Sequence, residues 1–486
     1  MLECAVQLIK ERTLIPAATV YPPLYSYLFA AVSAPTALAL TMLGVIPAPS
    51  DFASLSSAGG VLSYLPGRLL STAFGLATVL TAYRTAKDLW GGRAAAMAGG
   101  TLALSPLHAT YSAYALPDAA MTFFVTLSLR HCLLSVQKGA SVHLDRAAVF
   151  AGLALAAKYN CATIIFPLAL AALIRGRDPR QALRLLLLVA AAAAFGAIGW
   201  TLSPSKIVEG VSVQWFSTTQ RGNPSMSWAP PWLGLSQALW RTEGVLALLY
   251  LAAVAGAIQR RRREETILFA LIVPAFLNIG SLKRPSPHYF LFALPALALL
   301  AGRAYDRVLS TPFGRPLPAL LLVGLLALPG WAAAKKVRLA FREDSRRQAH
   351  RWIQERAPEG SGVVMDWAYT PRLWTAEQKR SALSGPHRRL YERTLAAESS
   401  YETVPLRYEL PWVAAVDADF MVLSSRSFDR FVDGNGPRAS DPLRPKFEAA
   451  RTVYRALLKE PGAVGWRRLV EFDSGNGPRI VVLGRP

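Results

Sequence analysis

Residues Ser105–Asp118 read Ser-Pro-Leu-His-Ala-Thr-Tyr-Ser-Ala-Tyr-Ala-Leu-Pro-Asp and join two apolar segments, Arg93–Leu107 and Ala119–Val136. This short connection carries a carboxylate (Asp118), an imidazole (His108) and two phenols (Tyr111 and Tyr114), and it has no Lys or Arg. Charge at membrane depth is costly, so an acid at the mouth of an apolar helix persists mainly where it lines a cavity or binds something. The plainer use of Pro117-Asp118 is to cap the helix that follows.

Other chemically able residues recur at similar places, next to apolar segments. Tyr21-Pro22-Pro23-Leu24-Tyr25 precedes an apolar run that reaches Gly44, and Lys158-Tyr159 follows the apolar run Phe150–Ala157. Lys283-Arg284-Pro285-Ser286-Pro287-His288-Tyr289 forms a short basic turn between two more. Cations together with phenols suit a phosphate headgroup, because the cations neutralise its charge and the hydroxyls donate to its oxygens. A carboxylate in the same cavity suits an acceptor hydroxyl, as its base, or a divalent metal. Each residue has a bland use as well: Lys158 as a snorkelling helix end, the basic turn as an interfacial anchor, Tyr21 as an interfacial aromatic. It is the set that points to a phosphorylated lipid.

The elements that must position these residues are membrane helices. Of the 486 residues 52% are hydrophobic, and several stretches approach the length that spans a bilayer. The net charge of +22 would suit nucleic acid. Here, however, the basic residues lie in short loops between apolar segments or mixed with acids in a polar C-terminal third, which excludes a nucleic-acid stripe. The three cysteines, Cys4, Cys132 and Cys161, show neither metal-ligand spacing nor a disulfide framework. Met1–Thr19 reads as a short amphipathic helix, with Ala5, Leu8 and Ile9 on one face, rather than as a signal peptide.

Apolar segments follow at roughly 68–84, 93–108, 119–136, 147–157, 160–174, 183–203, 243–258, 266–281, 288–304 and 317–333. The fourth and fifth are short and read as broken or tilted helices, which are tolerated where they line a cavity. Lys and Arg crowd alternate loops (Arg84, Lys87 and Arg93; Lys138 and Arg146; Arg175 to Arg184; Arg260–Arg263; Arg303, Arg307 and Arg315). By the positive-inside rule those loops are cytoplasmic, which puts Asp118, Lys158, loop 204–242, Lys283, Arg284 and everything after Ala334 outside. After Ala334 the periodicity changes. A helix over Lys335–Pro358 has Ala349, Trp352 and Ile353 on one face, strands are expected at Gly362–Asp366, Ala418–Ser425 and Arg479–Leu483, and a helix at Lys446–Leu458. This pattern predicts a small α/β domain outside the membrane.

In order and spacing these motifs resemble the protein O-mannosyltransferase-like and aminoarabinose-transferase-like glycosyltransferases of the GT-C superfamily. Arg68–Asp118, ending in His108, Tyr111 and Pro117-Asp118, is one run that carries the resemblance. Tyr21-Pro22-Pro23-Leu24-Tyr25 resembles their proline motif, and Ala157-Lys158-Tyr159 their Lys-Tyr element. Arg284, His288-Tyr289 and Leu294-Pro295-Ala296 resemble a segment of a late helix. Asp344-Ser345-Arg346 followed by Trp352-Ile353 is similar to the start of the soluble domain in bacterial members. The resemblance implies a mainly α, polytopic helix bundle of about ten spans with juxtamembrane helices and a C-terminal extracytoplasmic α/β domain. The boundaries expected are 1–67 for a remnant of the first extracytoplasmic loop, 68–334 for the bundle and 335–486 for the soluble domain.

The activity implied is inverting transfer of a sugar from a polyprenyl-phosphate donor to an acceptor hydroxyl outside the bacterial cytoplasmic membrane. Asp118 matches a second acid that helps bind metal or substrate, so it is the expected catalytic residue and the expected ligand of a divalent metal ion. No organic cofactor is called for. Tyr21, Pro22, Pro23, Tyr25, His108, Tyr111, Lys158, Tyr159, Lys283, Arg284, His288 and Tyr289 are the expected substrate-binding residues, with Lys158 and Arg284 on the leaving phosphate. The family begins with a helix and an acidic pair before the proline motif, and an Asp there acts as base. Neither is found before Tyr21. The expectation is a chain lacking the first helix, either from a start placed downstream of the true one or as an inactive relative. A flippase of a lipid-linked solute and a non-catalytic glycolipid-binding protein are the alternatives.

Overall fold

A computed structural model of the chain describes residues 2–16, 20–52, 54–55, 61–176, 178–215, 231–282, 286–310, 326–335, 338–339, 342–366, 369–385, 388–395, 398–432 and 444–486. The chain divides into two compact units, one ending at Ala334 and the other beginning at Lys335.

The first unit is helical. Short α1 (Leu2–Lys10) buries Cys4, Ala5 and Leu8 and leaves Ile9 exposed, so its inner face is one residue offset from the expected one. It packs on α2 (Leu24–Met42). Then come α3 (Leu65–Trp90), α4 (Gly92–Leu104), the short α5 (Pro106–Ser112), α6 (Asp118–Lys138) and α7 (Ser141–Ala157). Gly139, at φ +73°, supplies the left-handed cap that ends α6 and turns the chain into α7. The two helices pack as an antiparallel hairpin. Asp118 at the start of one and Lys158 at the end of the other therefore meet at the same end of the bundle.

The fourth and fifth apolar segments are separated at Lys158. Its backbone is extended, at φ −164° and ψ 120°, and a 3₁₀ turn over Tyr159–Ile164 leads into α8 (Ile165–Arg175). Next come α9 (Pro179–Gly196), α10 (Ile198–Leu202), α11 (Ser205–Trp215), α12 (Pro231–Glu243), α13 (Val245–Arg260) and α14 (Arg263–Gly280). A second 3₁₀ turn, Pro287–Ala293, starts α15 (Leu294–Ser310). Among the described residues four helices are long and apolar enough to cross a membrane: Leu24–Met42, Leu62–Trp90, Asp118–Lys138 and Pro179–Gly196. Leu24–Met42, which lies within the expected first-loop remnant 1–67, is thus of spanning length.

α7 and α9 pack almost backbone to backbone. A Cβ on Gly152 would lie 2.4 Å from the Val189 carbonyl oxygen and 2.7 Å from Ala192 Cβ, and one on Gly196 would lie 2.6 Å from Ala156 Cβ.

The second unit is a five-stranded sheet in the order β2-β1-β3-β5-β4. The strands are β1 (Gly362–Met365), β2 (Glu402–Pro405), β3 (Phe420–Ser424), β4 (Arg467–Phe472) and β5 (Ile480–Gly484). β2, β1 and β3 are parallel, while β5 and β4 run antiparallel to their neighbours. One face packs Met421, Leu423, Val481 and Leu483 against Phe428, Phe447, Tyr454 and Trp466. The other packs Val363, Val422 and Val482 against Ala349 and Ile353 of the helix Ser345–Arg356. The three strands read from the sequence are the three central ones, and the two edge strands are additions.

Candidate functional site

The hairpin of α6 and α7 creates a buried ion pair. Lys158 Nζ lies 2.8 Å from Asp118 Oδ1, and both side chains are only 2% exposed. Burying two charges costs several kcal/mol each, and their attraction repays this only where the geometry is good and the remaining donors and acceptors are served. Here aromatic rings complete the surroundings. Lys158 Nζ sits 4.8 Å from the centre of the Tyr21 ring and 5.4 Å from that of Tyr289. A ring face within about 6 Å of an ammonium attracts it through its quadrupole. Burial pushes the Tyr21 phenol above its ordinary value, against the nearby Lys158 charge, so it remains a protonated donor.

Tyr21 reaches this place because its segment is strapped down. The Tyr27 hydroxyl donates to the Leu14 carbonyl at 2.7 Å and accepts from Gly199 N at 2.8 Å. The Tyr159 hydroxyl donates to the Val20 carbonyl at 3.1 Å, and its ring stacks on Trp200. Pro22 and Pro23 are buried at the start of α2. Tyr25 turns to α3 instead, bonding the Gly67 carbonyl at 2.8 Å and Ser71 Oγ at 2.7 Å. Its hydroxyl braces α2 on α3.

A second wall adjoins the first. The Tyr111 ring of α5 stacks on His288, with centroids 4.9 Å apart, and His288 lies 4.3 Å from the Tyr289 ring. His288 Nδ1 is 2.6 Å from Ser286 Oγ, and Asn160 Nδ2 donates to the Tyr289 carbonyl at 3.3 Å. The structure thus brings Tyr21, Asp118, Lys158 and Tyr289 together and links Tyr289 to His288 and Tyr111. His108 is buried within α5. Lys283 and Arg284 lie outside the described residues.

Sequence reading missed Glu243. This buried acid of α12 accepts hydrogen bonds from Ser105 Oγ and Leu107 N, both at 2.9 Å, and so fixes the start of α5. Its signal was present: it is the only acid between Glu209 and Glu264. Asn160 was passed over as well, beside the more conspicuous Lys158-Tyr159.

The Asp118 carboxylate is already bonded to an ammonium, and among the described residues no three His, Cys, Asp or Glu side chains converge. Anions suit the place, since Lys158 can exchange one oxyanion for another at little cost in charge.

A deep hairpin with a buried acid–lysine pair, followed by a separate α/β unit, defines a class. Residues 54–200 match the family profile described as dolichyl-phosphate-mannose-protein mannosyltransferase. The structure of apo ArnT from Cupriavidus metallidurans is 14% identical, with TM-score 0.52, covering 99% of this chain and 92% of that one. The same protein bound to undecaprenyl phosphate gives 12% identity and TM-score 0.51, over 99% and 92%. The apo oligosaccharyltransferase of Archaeoglobus fulgidus gives 13% and 0.50, covering 97% of this chain and 75% of that one. No curated protein sequence matches the chain. The chain shares the fold of these two proteins, and with its long apolar helices it is an integral membrane protein.

Proposed function

We propose that this protein transfers a sugar from a polyprenyl-phosphate donor to an acceptor hydroxyl on the extracytoplasmic side of a bacterial cytoplasmic membrane, with inversion at the anomeric carbon. The observation that carries this reading is the Asp118–Lys158 pair, buried between Tyr21 and Tyr289. A lysine held charged and dehydrated by a neighbouring acid is prepared for a second anion. The match to a mannosyltransferase profile across Asp118 and Lys158, and the fold shared with a protein that binds undecaprenyl phosphate, support the same reading.

In this proposal the donor phosphate draws Lys158 away from Asp118. The carboxylate, relieved of its partner, takes the proton of the acceptor hydroxyl. The acceptor oxygen bonds to the anomeric carbon as the bond from that carbon to the phosphate oxygen breaks, and the lipid phosphate leaves with its charge on Lys158. Tyr21, Tyr111, His288 and Tyr289 complete the donor site, with Tyr159 holding the strap that carries Tyr21.

The test is release of undecaprenyl phosphate from an undecaprenyl-phosphate-linked sugar by the purified protein in proteoliposomes, together with binding of undecaprenyl phosphate itself. Release that Asp118→Ala abolishes is the expected result. Binding without release in any preparation would leave a glycolipid-binding protein. Passage across the bilayer without bond cleavage would leave a flippase.

A further inference from the structure

In the second unit β1 lies between β2 and β3, and all three are parallel. The chain leaving β1 goes to one face of the sheet, where Leu373 packs with Ala349 and Ile353. The chain leaving β3 goes to the other, where Phe428 and Phe431 pack with Phe447 and Tyr454. Where connections from neighbouring parallel strands diverge in this way, the carboxyl ends leave a crevice, and open α/β sheets bind their ligands there.

The residues at this crevice are set up for a ligand. Asp366, just past β1, accepts from Ser424 N at 3.0 Å and from the Tyr454 hydroxyl at 2.7 Å, which ties the ends of β1 and β3 together. Beyond it Tyr369 is 56% exposed, yet its backbone is held at φ +63°. A bulky residue at positive φ is a true outlier, and such strain persists where function selects it. From the helix Ser425–Val432 that follows β3, the Arg426 guanidinium lies 5.7 Å from the centre of the Tyr369 ring. Arg346, fixed on Asp344 by bonds of 2.9 and 2.7 Å, adds a second positive charge near this ring. No glycine occurs between Asp366 and Ser384, so the turn lacks the flexible loop that cradles a dinucleotide pyrophosphate.

We propose that this crevice binds an acidic saccharide, with a sugar ring laid on Tyr369 and its carboxylate or phosphate ester on Arg426. The inference stands apart from the sugar-transfer reading, because its readout is binding alone. The test uses the whole protein in nanodiscs and saturation-transfer NMR with three probes: trigalacturonate, glucose 6-phosphate and neutral maltotriose. At least one acidic probe is expected to bind about tenfold more tightly than maltotriose. Arg426→Ala and Tyr369→Gly should each lose about tenfold in affinity, and Tyr369→Phe should keep it. Glycine accepts positive φ without strain, so Tyr369→Gly should melt at the same temperature or higher while losing the ligand. Binding of trigalacturonate alone would identify a uronate ligand, and binding of glucose 6-phosphate alone a sugar phosphate. Failure of both acidic probes to bind, or binding untouched by Tyr369→Gly and Arg426→Ala, would overturn the proposal.

Discussion

Two buried acids, one in each unit, are served in opposite ways. Asp118 faces an ammonium, and that ammonium is walled by two aromatic rings. Asp366 faces neutral donors, the Ser424 amide and the Tyr454 hydroxyl. The second arrangement is a staple: both donors are part of the fold, and the Tyr454 hydroxyl is itself held 3.2 Å from that of Tyr408. Burial and the Asp366 charge push the Tyr454 phenol far above its ordinary value, so this donor keeps its proton throughout the accessible pH range. The first arrangement is an exchangeable pair, because a lysine that satisfies one oxyanion can satisfy another. The contrast teaches that the partner of a buried carboxylate, more than its burial, separates a site prepared for chemistry from a structural clasp.

The largest effect should come from breaking the exchangeable pair. Lys158→Met leaves Asp118 charged and alone, which costs about 3–5 kcal/mol, and it should also remove undecaprenyl phosphate binding. Adding Asp118→Leu removes the stranded charge, so the double variant should regain most of the stability while binding stays lost. Thermal unfolding of the four proteins in one detergent measures this. A double variant no more stable than Lys158→Met would place Asp118 among the staples.

Tyr454→Phe should cost about 1.5–3 kcal/mol, the range for a hydrogen bond to a charged group. It should leave undecaprenyl phosphate binding unchanged. Loss of binding there would dissolve the distinction between the two acids.

A smaller effect belongs to Asp344, which caps the helix Ser345–Arg356 by accepting from Arg346 N at 2.9 Å. Burial acts to raise its carboxyl, but the hydrogen bonds and charge of Arg346 outweigh this and hold it below the ordinary value. A depressed acid contributes stability above its unfolded pKa of about 3.9 and loses it as pH falls through the lower folded value. Asp344→Asn keeps a capping oxygen but loses the charge paired with Arg346, so it should be less stable than the parent by about 0.2–1 kcal/mol near neutral pH. The two unfolding midpoints should converge in acid, and a gap that persists there would mean that the carboxylate charge is not what the cap uses.

The smallest effect sharpens the description of the lysine cage. Tyr21→Phe keeps the ring over Lys158 and should change stability by less than about 0.5 kcal/mol, whereas Tyr21→Leu should cost about 1 kcal/mol. Equal losses in the two would shift the role of Tyr21 from its ring to its hydroxyl.

The sequence was legible where one local signal sufficed. β1, β3 and β5 are continuous apolar runs because the sheet buries them on both faces. β2 (Glu-Thr-Val-Pro) and β4 (Arg-Arg-Leu-Val-Glu-Phe) are edge strands, half exposed, and their polar residues hide the pattern. The acid and lysine of the site stood out as charges beside apolar segments, but their bond joins positions 40 residues apart and depends on hairpin register. Tyr25 shows the opposite outcome. It shares a motif with Tyr21, yet it lies four residues on, inside α2, and that helix carries its hydroxyl to Ser71. Glu243 was hidden because its partners, Ser105 and Leu107, lie far away in the chain.

The glycine contact between α7 and α9 has a mechanical consequence. With Val189 and Ala192 in van der Waals reach of Gly152, and Ala156 against Gly196, neither helix can slide past the other by a turn without driving backbone into backbone. α7 is a fixed post. Any travel of the Lys158 ammonium between two anions must be absorbed by its own four-carbon side chain and by the short 3₁₀ turn just beyond it, whose hydrogen bonds have poorer geometry than an α-helix's. The protein thus mounts a short, swinging charge on a beam that does not move.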